Sequence, residues 1–372
     1  MPRPLEPGRR AMPARPVVVL AAVVLVVTGL ILALALTRGT APPEPSAAPP
    51  PAEQSEEPDT AAQLLAASED PQACAVTFAG EAVEERPMLV SADEPYPELP
   101  IPVRDGRVFA GWYTSAEAAG TLATRERVNI ADAARCDERR RPLHGAWRTP
   151  AEVARADVGV PVLMYHLFTE RPEGIEGPLQ RLATDIDDFD AQMGHLADRG
   201  FYHPSWRELS AFIDGDLQLP ERSVVVTDDD VHPSWSDLAI PVLERHGILA
   251  TSFVITGSGR EQTPSQLVLQ RSHTHDMHTR ADDGRGRMLS WSSEQIISDL
   301  ETSTDLLHAK EVVAYPFGHY DDAALQAVRA AGFELGLTTE TGRVHAGSDK
   351  LTLPRIAIDY GLPLEDFIDL VG

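Results

Sequence analysis

The rhythm of apolar positions changes at about residue 160. Beyond it, short apolar runs alternate with stretches whose apolar residues recur at helical spacing. Runs at 160–165, 223–227, 250–255, 312–315, 334–338 and 355–358 predict strands. Segments 187–199, 206–213, 236–246, 293–309, 321–331 and 364–370 predict helices. Repeated strand–helix alternation implies parallel strands, in an open sheet or a barrel, with chemistry where strands end. Ahead of this, residues 73–150 show short apolar stretches broken by Pro and Gly, the pattern of a small β-rich module. Residues 17–37 (VVVLAAVVLVVTGLILALALT) hold no charge over 21 positions, enough for one bilayer-spanning helix. Between them, residues 38–72 open as a Pro-, Ala-, Glu- and Ser-rich tract, expected to be an extended linker.

Charge sharpens this division. Among 372 residues, 32 Lys and Arg stand against 57 Asp and Glu, a net of −25 that argues against nucleic acid as a partner. Residues 1–38 hold Arg3, Arg9, Arg10, Arg15 and Arg38 against Glu6, a net of +4, which leaves −29 for the remainder. Arginines ahead of the apolar run favour a cytoplasmic lead (1–16), a retained anchor (17–37) and an acidic bulk outside the cell membrane. The alternative is a cleaved signal peptide and a secreted protein, since Ala33-Leu34-Ala35 resembles a cleavage site. The run exceeds the roughly 7–15 residues of a signal core, which favours the anchor. On both readings the rest is exported. Cys74 and Cys136 are the only cysteines, and outside the cell an even count favours one disulfide over two free thiols.

Three strand ends carry polar residues. The run 224–227 leads into Asp228-Asp229-Asp230, the run 163–165 into His166, and the run 313–315 into Pro316-Phe317-Gly318. A fourth cluster, Ser272 to His278, packs His273, His275 and His278 together. One carboxylate with two histidines can hold a divalent metal and leave positions for water and substrate. A second carboxylate beside such a centre can take a proton from that water. The bland alternatives are an exposed acidic turn for the three aspartates and a buried, hydrogen-bonded role for His166. His275 is read as a bystander, and His232, His246, His308 and His319 as surface or structural.

Two resemblances follow from quoted residues. Val76-Thr77-Phe78, Leu99-Pro100, Gly106, Phe109, Gly111-Trp112-Tyr113 and Ala146-Trp147 make residues 73–148 resemble the internalin-type B-repeat, the Listeria–Bacteroides repeat. That resemblance implies a spacer or adhesive module without catalysis, with Trp112 and Trp147 as core anchors. Residues 158–372 resemble the polysaccharide deacetylases of carbohydrate esterase family 4, related to chitin deacetylases. Thr227, Asp229 and Asp230 fit the motif T-F-D-D-G, followed by Pro241-Val242-Leu243 and Ala250-Thr251-Ser252-Phe253-Val254. His273, Thr274 and His278 fit the histidine motif with the longer spacing of the poly-N-acetylglucosamine deacetylase branch, which Met164-Tyr165-His166 also matches. Tyr315-Pro316-Phe317-Gly318 and Leu353-Pro354-Arg355-Ile356 match later motifs.

The resemblance implies a distorted (β/α) barrel of the polysaccharide deacetylase type, so the expected fold is α/β, with a small N-terminal β-rich module and one transmembrane helix. It implies a metal-dependent hydrolase of carbon–nitrogen bonds other than peptide bonds, removing N-acetyl groups from an N-acetylglucosamine-containing cell-surface polysaccharide. Asp230, His273 and His278 would hold the metal, Zn2+ by their type, with Asp229 as base and His166 as acid. Tyr315 and Phe317 would serve substrate and oxyanion. Three positions depart from the family pattern: Asp228 for Phe, Val231 for Gly, and Ala314 where many relatives carry an arginine that pairs with the catalytic Asp. Supporting roles are therefore expected of Asp228, and of Arg355 as a replacement for that arginine. The competing readings are a catalytically lapsed glycan-binding or adhesion protein on the same fold, and an O-acetyl esterase. No protein partner is specified.

Overall fold

The computed structural model describes residues 59–171, 177–260 and 264–372. The expected lead (1–16), the expected membrane helix (17–37) and most of the expected linker lie outside the described residues. No helix among the described residues is long and apolar enough to cross a membrane. The chain from Glu56 to Gly372 clusters as one unit.

The end of the stretch read as linker is helical: α1 spans Thr60–Ala67. Its sequence, TAAQLLAA, contains strong helix formers, and the preceding prolines stop at Pro58. Asp59 caps it by accepting from the Ala62 N–H at 3.0 Å and pairs with Arg140 at 2.8 Å. Ala61 is buried, so α1, ahead of residue 73, packs as part of the folded unit.

The next 76 or so positions build a five-stranded sheet. Its strands are β1 (Ala73–Ala79), β2 (Met88–Ser91), β3 (Val108–Tyr113), β4 (Arg127–Val128) and β5 (Arg140–Arg148), in the order β2-β1-β5-β3-β4. The β1–β5 pairing is parallel and the others are antiparallel. A short helix, α2 (Ala116–Thr121), follows β3. Cys74 and Cys136 form the expected disulfide across 62 residues. Closing a loop of that length in the unfolded chain is worth about 4 kcal/mol. Phe78, Phe109, Trp112 and Trp147 pack with ring centroids 4.6 to 5.2 Å apart, and the Trp112 Nε1 donates to the Pro100 carbonyl at 2.7 Å. Both tryptophans thus pack as core anchors.

A capped connector, α3 (Pro150–Ala156), leads into the second half. There, β6 (Val160–Tyr165), β9 (Val225–Asp229), β10 (Ala250–Val254), β11 (Val268–Ser272), β12 (Val312–Ala314), β13 (Leu335–Thr341) and β15 (Leu353–Ala357) form a closed, seven-stranded parallel barrel. Closure comes from the β6–β9 pairing. Two small strands, β7 (Leu167–Thr169) and β8 (Ala183–Asp185), pair with each other, and β14 (Arg343–Val344) adds antiparallel to β6. Around the barrel lie α4 (Ile186–Arg199), α5 (Trp206–Asp214), α6 (Ile240–His246), α7 (Ser293–Leu307), α8 (Asp322–Ala330) and α9 (Leu364–Val371). The barrel strand absent from the pattern reading is β11. Its sequence, VLQRS, shows neither an apolar run nor strict alternation. It is a strand because β10 and β12 flank it and satisfy its backbone, and Arg271 pairs with Glu311 at its edge. The helix expected over 236–246 begins as a π-turn, Trp235–Ala239, ahead of α6. Pro241 has no N–H to continue an ordinary ladder there.

The two halves share a core. One buried cluster runs from Cys74, Phe109 and Trp112 through Trp206, Leu209, Phe212 and Leu217 to the barrel wall. Backbone bonds cross the join: Phe109 donates to Asp216 at 3.1 Å and Gln218 to Phe109 at 2.7 Å. Asn129 Nδ2 reaches the His203 carbonyl at 2.8 Å and Glu208 at 2.9 Å. The module is therefore packed onto the barrel as part of one hydrophobic body.

Candidate metal centre and active site

Parallel strands deliver their C-terminal ends to one mouth, and the polar residues singled out by sequence follow those ends. Asp229 ends β9, and Asp230 comes directly after it. His166 follows β6, and His273 follows β11. Asp230 and the next residue, Val231, take φ of +71° and +48°. Left-handed backbone is unusual for a β-branched residue and stores strain of about 1–2 kcal/mol. Val231 keeps the turn that glycine would make easily, held there by near-complete burial of its side chain.

Asp230, His273 and His278 converge. Their ligand atoms all lie within 4.8 Å of one another. The Asp230 Oδ1 is 3.4 Å from His273 Nε2 and 3.2 Å from His278 Nε2. Donors held about 2.1 Å from a tetrahedral zinc sit about 3.4 Å apart, so these separations fit a metal-sized gap. A second observation agrees. His273 Nδ1 lies 2.8 Å from the Ala314 carbonyl, which makes it the proton-bearing nitrogen and turns the Nε2 lone pair toward Asp230. The Asp230 Oδ1 is buried with no hydrogen-bond partner among the described residues. A lone pair facing an orphaned carboxylate oxygen calls for a cation between them.

Asp229 stands beside this centre in a different setting. Arg355, buried in the barrel, donates from both terminal nitrogens to its two oxygens, each at 2.7 Å, and from Nε to the Thr338 carbonyl at 2.8 Å. Burial alone would raise the Asp229 carboxyl. The Arg355 charge outweighs it, with help from His273, and holds the group well below the ordinary carboxylate range. Arg355, which the sequence reading offered as a support for Asp229, thus reaches that carboxylate from β15. His166 Nε2 lies 4.0 Å from Asp229 Oδ2, with a side chain one-fifth exposed. Burial lowers its pKa, against the pull of Asp229 and Asp230. His166 is therefore neutral over more of the neutral range than a free histidine.

The Phe317 ring lies over His278 with centroids 4.3 Å apart, and its backbone sits at φ +58°. The side chain is half-exposed at the mouth, and its N–H donates to no acceptor among the described residues.

Two expected site residues do not join this group. Tyr315 is fully buried: its hydroxyl donates to the Leu351 carbonyl at 2.7 Å and its N–H to the Leu337 carbonyl at 3.0 Å. It packs with Met277, Ile296 and Phe333, so neither substrate nor oxyanion can use it. Asp228 is also misassigned. Side chains alternate along a strand, and with Asp229 turned inward Asp228 shares the outer face with Val224 and Val226, beneath the helices. It is fully buried, and neither carboxylate oxygen has a hydrogen-bond partner; the nearby Val231 N–H does not close one. Burial first, and then the charges of Asp229 and Asp230, push its carboxyl well above the ordinary range. His275 is a bystander to the metal group, with Nδ1 on Thr256 Oγ1 at 2.9 Å.

Sequence reasoning missed Asp299. Its two oxygens accept the N–H groups of His275 and Asp276, each at 2.7 Å, and so pin the loop between His273 and His278. The signal was present: Asp299 lies on the buried stripe of α7, beside Ile296, Leu300 and Ser303, where an unpaired acid is out of place.

Comparison with known proteins bears on the same region. Residues 216–336 match the family model described as polysaccharide deacetylase. The poly-beta-1,6-N-acetyl-D-glucosamine N-deacetylase of Staphylococcus aureus (strain MRSA252) is 29% identical over 162 residues, covering 38% of this chain and 56% of that protein. The chain thus spans about half the length of the curated relatives it matches. Among solved structures, the Streptococcus pyogenes deacetylase PplD in complex with acetate superposes with a TM-score of 0.51 at 25% identity, covering 58% of this chain and 99% of that one. The B-repeat resemblance of residues 73–148 rests on its own residues alone. The match across 216–336 covers the part of the barrel that carries Asp229, Asp230, His273 and His278, so that part is similar to the polysaccharide deacetylases.

Proposed function

We propose that this chain is a metal-dependent hydrolase that removes N-acetyl groups from an N-acetylglucosamine-containing cell-surface polysaccharide. The observation that carries the reading is the convergence of Asp230, His273 and His278 beside an Arg355-held Asp229. The deacetylase names borne by the matched relatives support it. Asp230, His273 and His278 would hold the ion, and a carboxylate with two imidazoles suits zinc. Such an ion, when bound, supplies Lewis acidity and lowers the pKa of a water toward 7.

The chain's own groups do the rest. Asp229, ionised throughout the working range, accepts the proton of the water that adds to the acetamide carbonyl. The Phe317 N–H, which has no acceptor among the described residues, can donate to the oxygen that gains charge. The departing amine must be protonated as the C–N bond breaks, and His166, 4.0 Å from Asp229, is the acid that supplies that proton in its protonated form. Acetate and a free sugar amine result. The half-exposed Phe317 ring offers an apolar face to a sugar.

The export of the chain, its retention by residues 17–37 or release after cleavage, and the spacer role of residues 73–150 belong to the same proposal. A second reading, a lapsed glycan-binding protein, was motivated by Asp228 and Val231. Asp228 points to the outer layer, so the inward groups remain in place and hydrolysis is favoured. Acetate release from N-acetylglucosamine oligomers with added zinc tests this. Asp229→Asn should abolish it, and a metal-loaded protein that releases no acetate from N- or O-acetylated oligomers sinks the proposal. Release from O-acetylated sugars alone supports the esterase variant instead.

A further inference from the structure

A cleft of about 780 Å³ opens between the small sheet and the barrel. Its barrel side is the C-terminal end of α4 and the segment before β9, so it lies at the end of the barrel opposite the metal centre. Arg125, Arg127, Arg148, Arg199 and Arg222 line it against Glu126 and Glu221, a local excess of positive charge in a chain of net −25. Glu126 is already engaged, accepting from Thr114 Oγ1 at 2.8 Å.

Three of the arginines are under-used. Arg125, Arg199 and Arg222 are exposed, and among the described residues none has a carboxylate within ion-pair distance. Arg125 donates only to the Asp198 carbonyl at 2.5 Å, which holds it across the end of α4. Deeper in, Arg127 is almost wholly buried, stacked over Tyr202 at 4.5 Å, bonded to the Gln218 carbonyl at 2.8 Å and paired with Glu208 at 3.4 Å. Its Nε has no partner, nor does the Nε of Arg148, whose nearest acid is Glu152 at 3.7 Å. Buried guanidinium N–H groups without acceptors are costly, and they leave the floor of the cleft electropositive.

We propose that this cleft binds a phosphoryl-bearing polyanion, a phosphodiester-linked chain. Guanidinium forks match phosphate oxygens two at a time, and four accessible arginines along one cleft, Arg125, Arg148, Arg199 and Arg222, call for several negative charges rather than one. The cleft is concave, so a strand of polymer can lie between Arg125, Arg199 and Arg222 and reach the partly exposed Arg148, whereas a flat bilayer surface cannot. Two arginines come from the small sheet's strands, β4 and β5, and Arg199 and Arg222 from the barrel. The join between the halves would thus hold an anionic chain while the far end of the barrel works on another.

The test is calorimetric titration of the full-length protein with a soluble poly(glycerol phosphate) oligomer at low salt. R199E/R222E alters two exposed residues and should weaken binding on the order of 100-fold, the loss of about two charge-assisted contacts. R86E/R329E makes the same change in net charge at exposed residues outside the cleft and should bind as the parent does. Equal loss in both variants, or no loss in either, overturns the proposal. So does inorganic phosphate binding as tightly as the oligomer, which would indicate a single-anion site. Capture by phosphatidylglycerol vesicles without oligomer binding would overturn it in favour of a membrane surface. Binding is read without acetate release, so this proposal and the deacetylase reading fail separately.

Discussion

Arg355→Gln probes the link between the barrel interior and the reacting groups. The change removes both 2.7 Å bonds to Asp229 and leaves that carboxylate buried beside a histidine 4.0 Å away. Breaking a buried pair from one side costs about 3–5 kcal/mol, because the surviving charge is left uncompensated. At roughly 2–4 °C per kcal/mol for a domain of this size, the melting temperature should fall by about 6–20 °C. The assay is thermal and urea unfolding of four proteins: parent, R355Q, D229N and the double variant. Once Asp229 is neutral, losing Arg355 should cost much less, giving a coupling energy of at least ~2 kcal/mol. The same pair sets a pH effect. A depressed carboxyl contributes stability that is present above its unfolded pKa and lost as pH falls through its folded pKa. The parent therefore retains the pair far into acid, and R355Q moves the acid limb of the rate profile upward. Additive stability changes with an unmoved acid limb would refute the reasoning.

Other consequences can be checked separately. Asp228→Val replaces an unpartnered, fully buried carboxyl by an apolar side chain and should raise stability by about 1–3 kcal/mol in urea unfolding, with no loss of acetate release. His203 is buried, with a pKa lowered to about 4 chiefly by desolvation, and Nδ1 3.2 Å from the Val224 carbonyl. Its contribution is present above the unfolded value near 6.5 and is lost as pH falls toward 4, a slope worth about 3 kcal/mol that His203→Gln should remove. Asp299→Asn leaves an oxygen for only one of the loop N–H groups of His275 and Asp276, sets an NH2 against the other, and should weaken zinc binding about 10–100-fold in competition with a chromophoric chelator. Unchanged affinity would show that the loop holds its shape without the carboxylate.

Much of this was legible in the chain because it is local. Strand 160–165 follows from VPVLMY, and α7 from a capping box at Ser292 and Gln295 followed by apolar spacing. Asp229, Asp230, His166 and His273 could be located because each lies at or just after the end of a strand, and parallel strands send those ends to one mouth. Other parts were not legible. β11 has no periodic signal and is a strand through its neighbours' hydrogen bonds. Tyr315 carries a motif tyrosine, yet the close approach of Gly336 opens a buried slot for its ring.

The sequence by itself determined the element types, the charge division, the pairing of two lone cysteines and the set of side chains able to bind a metal. These depend on nearest neighbours along the chain, on counting, or on spacing. Only tertiary structure decided that Arg355 meets Asp229, that Asp228 faces outward, that Asp299 ties down the histidine loop, and that the small sheet and barrel share one core with arginines along their join. Each depends on which face of a strand or helix is covered by a distant part of the chain. That choice is made by barrel closure and packing, and one residue of register reverses it.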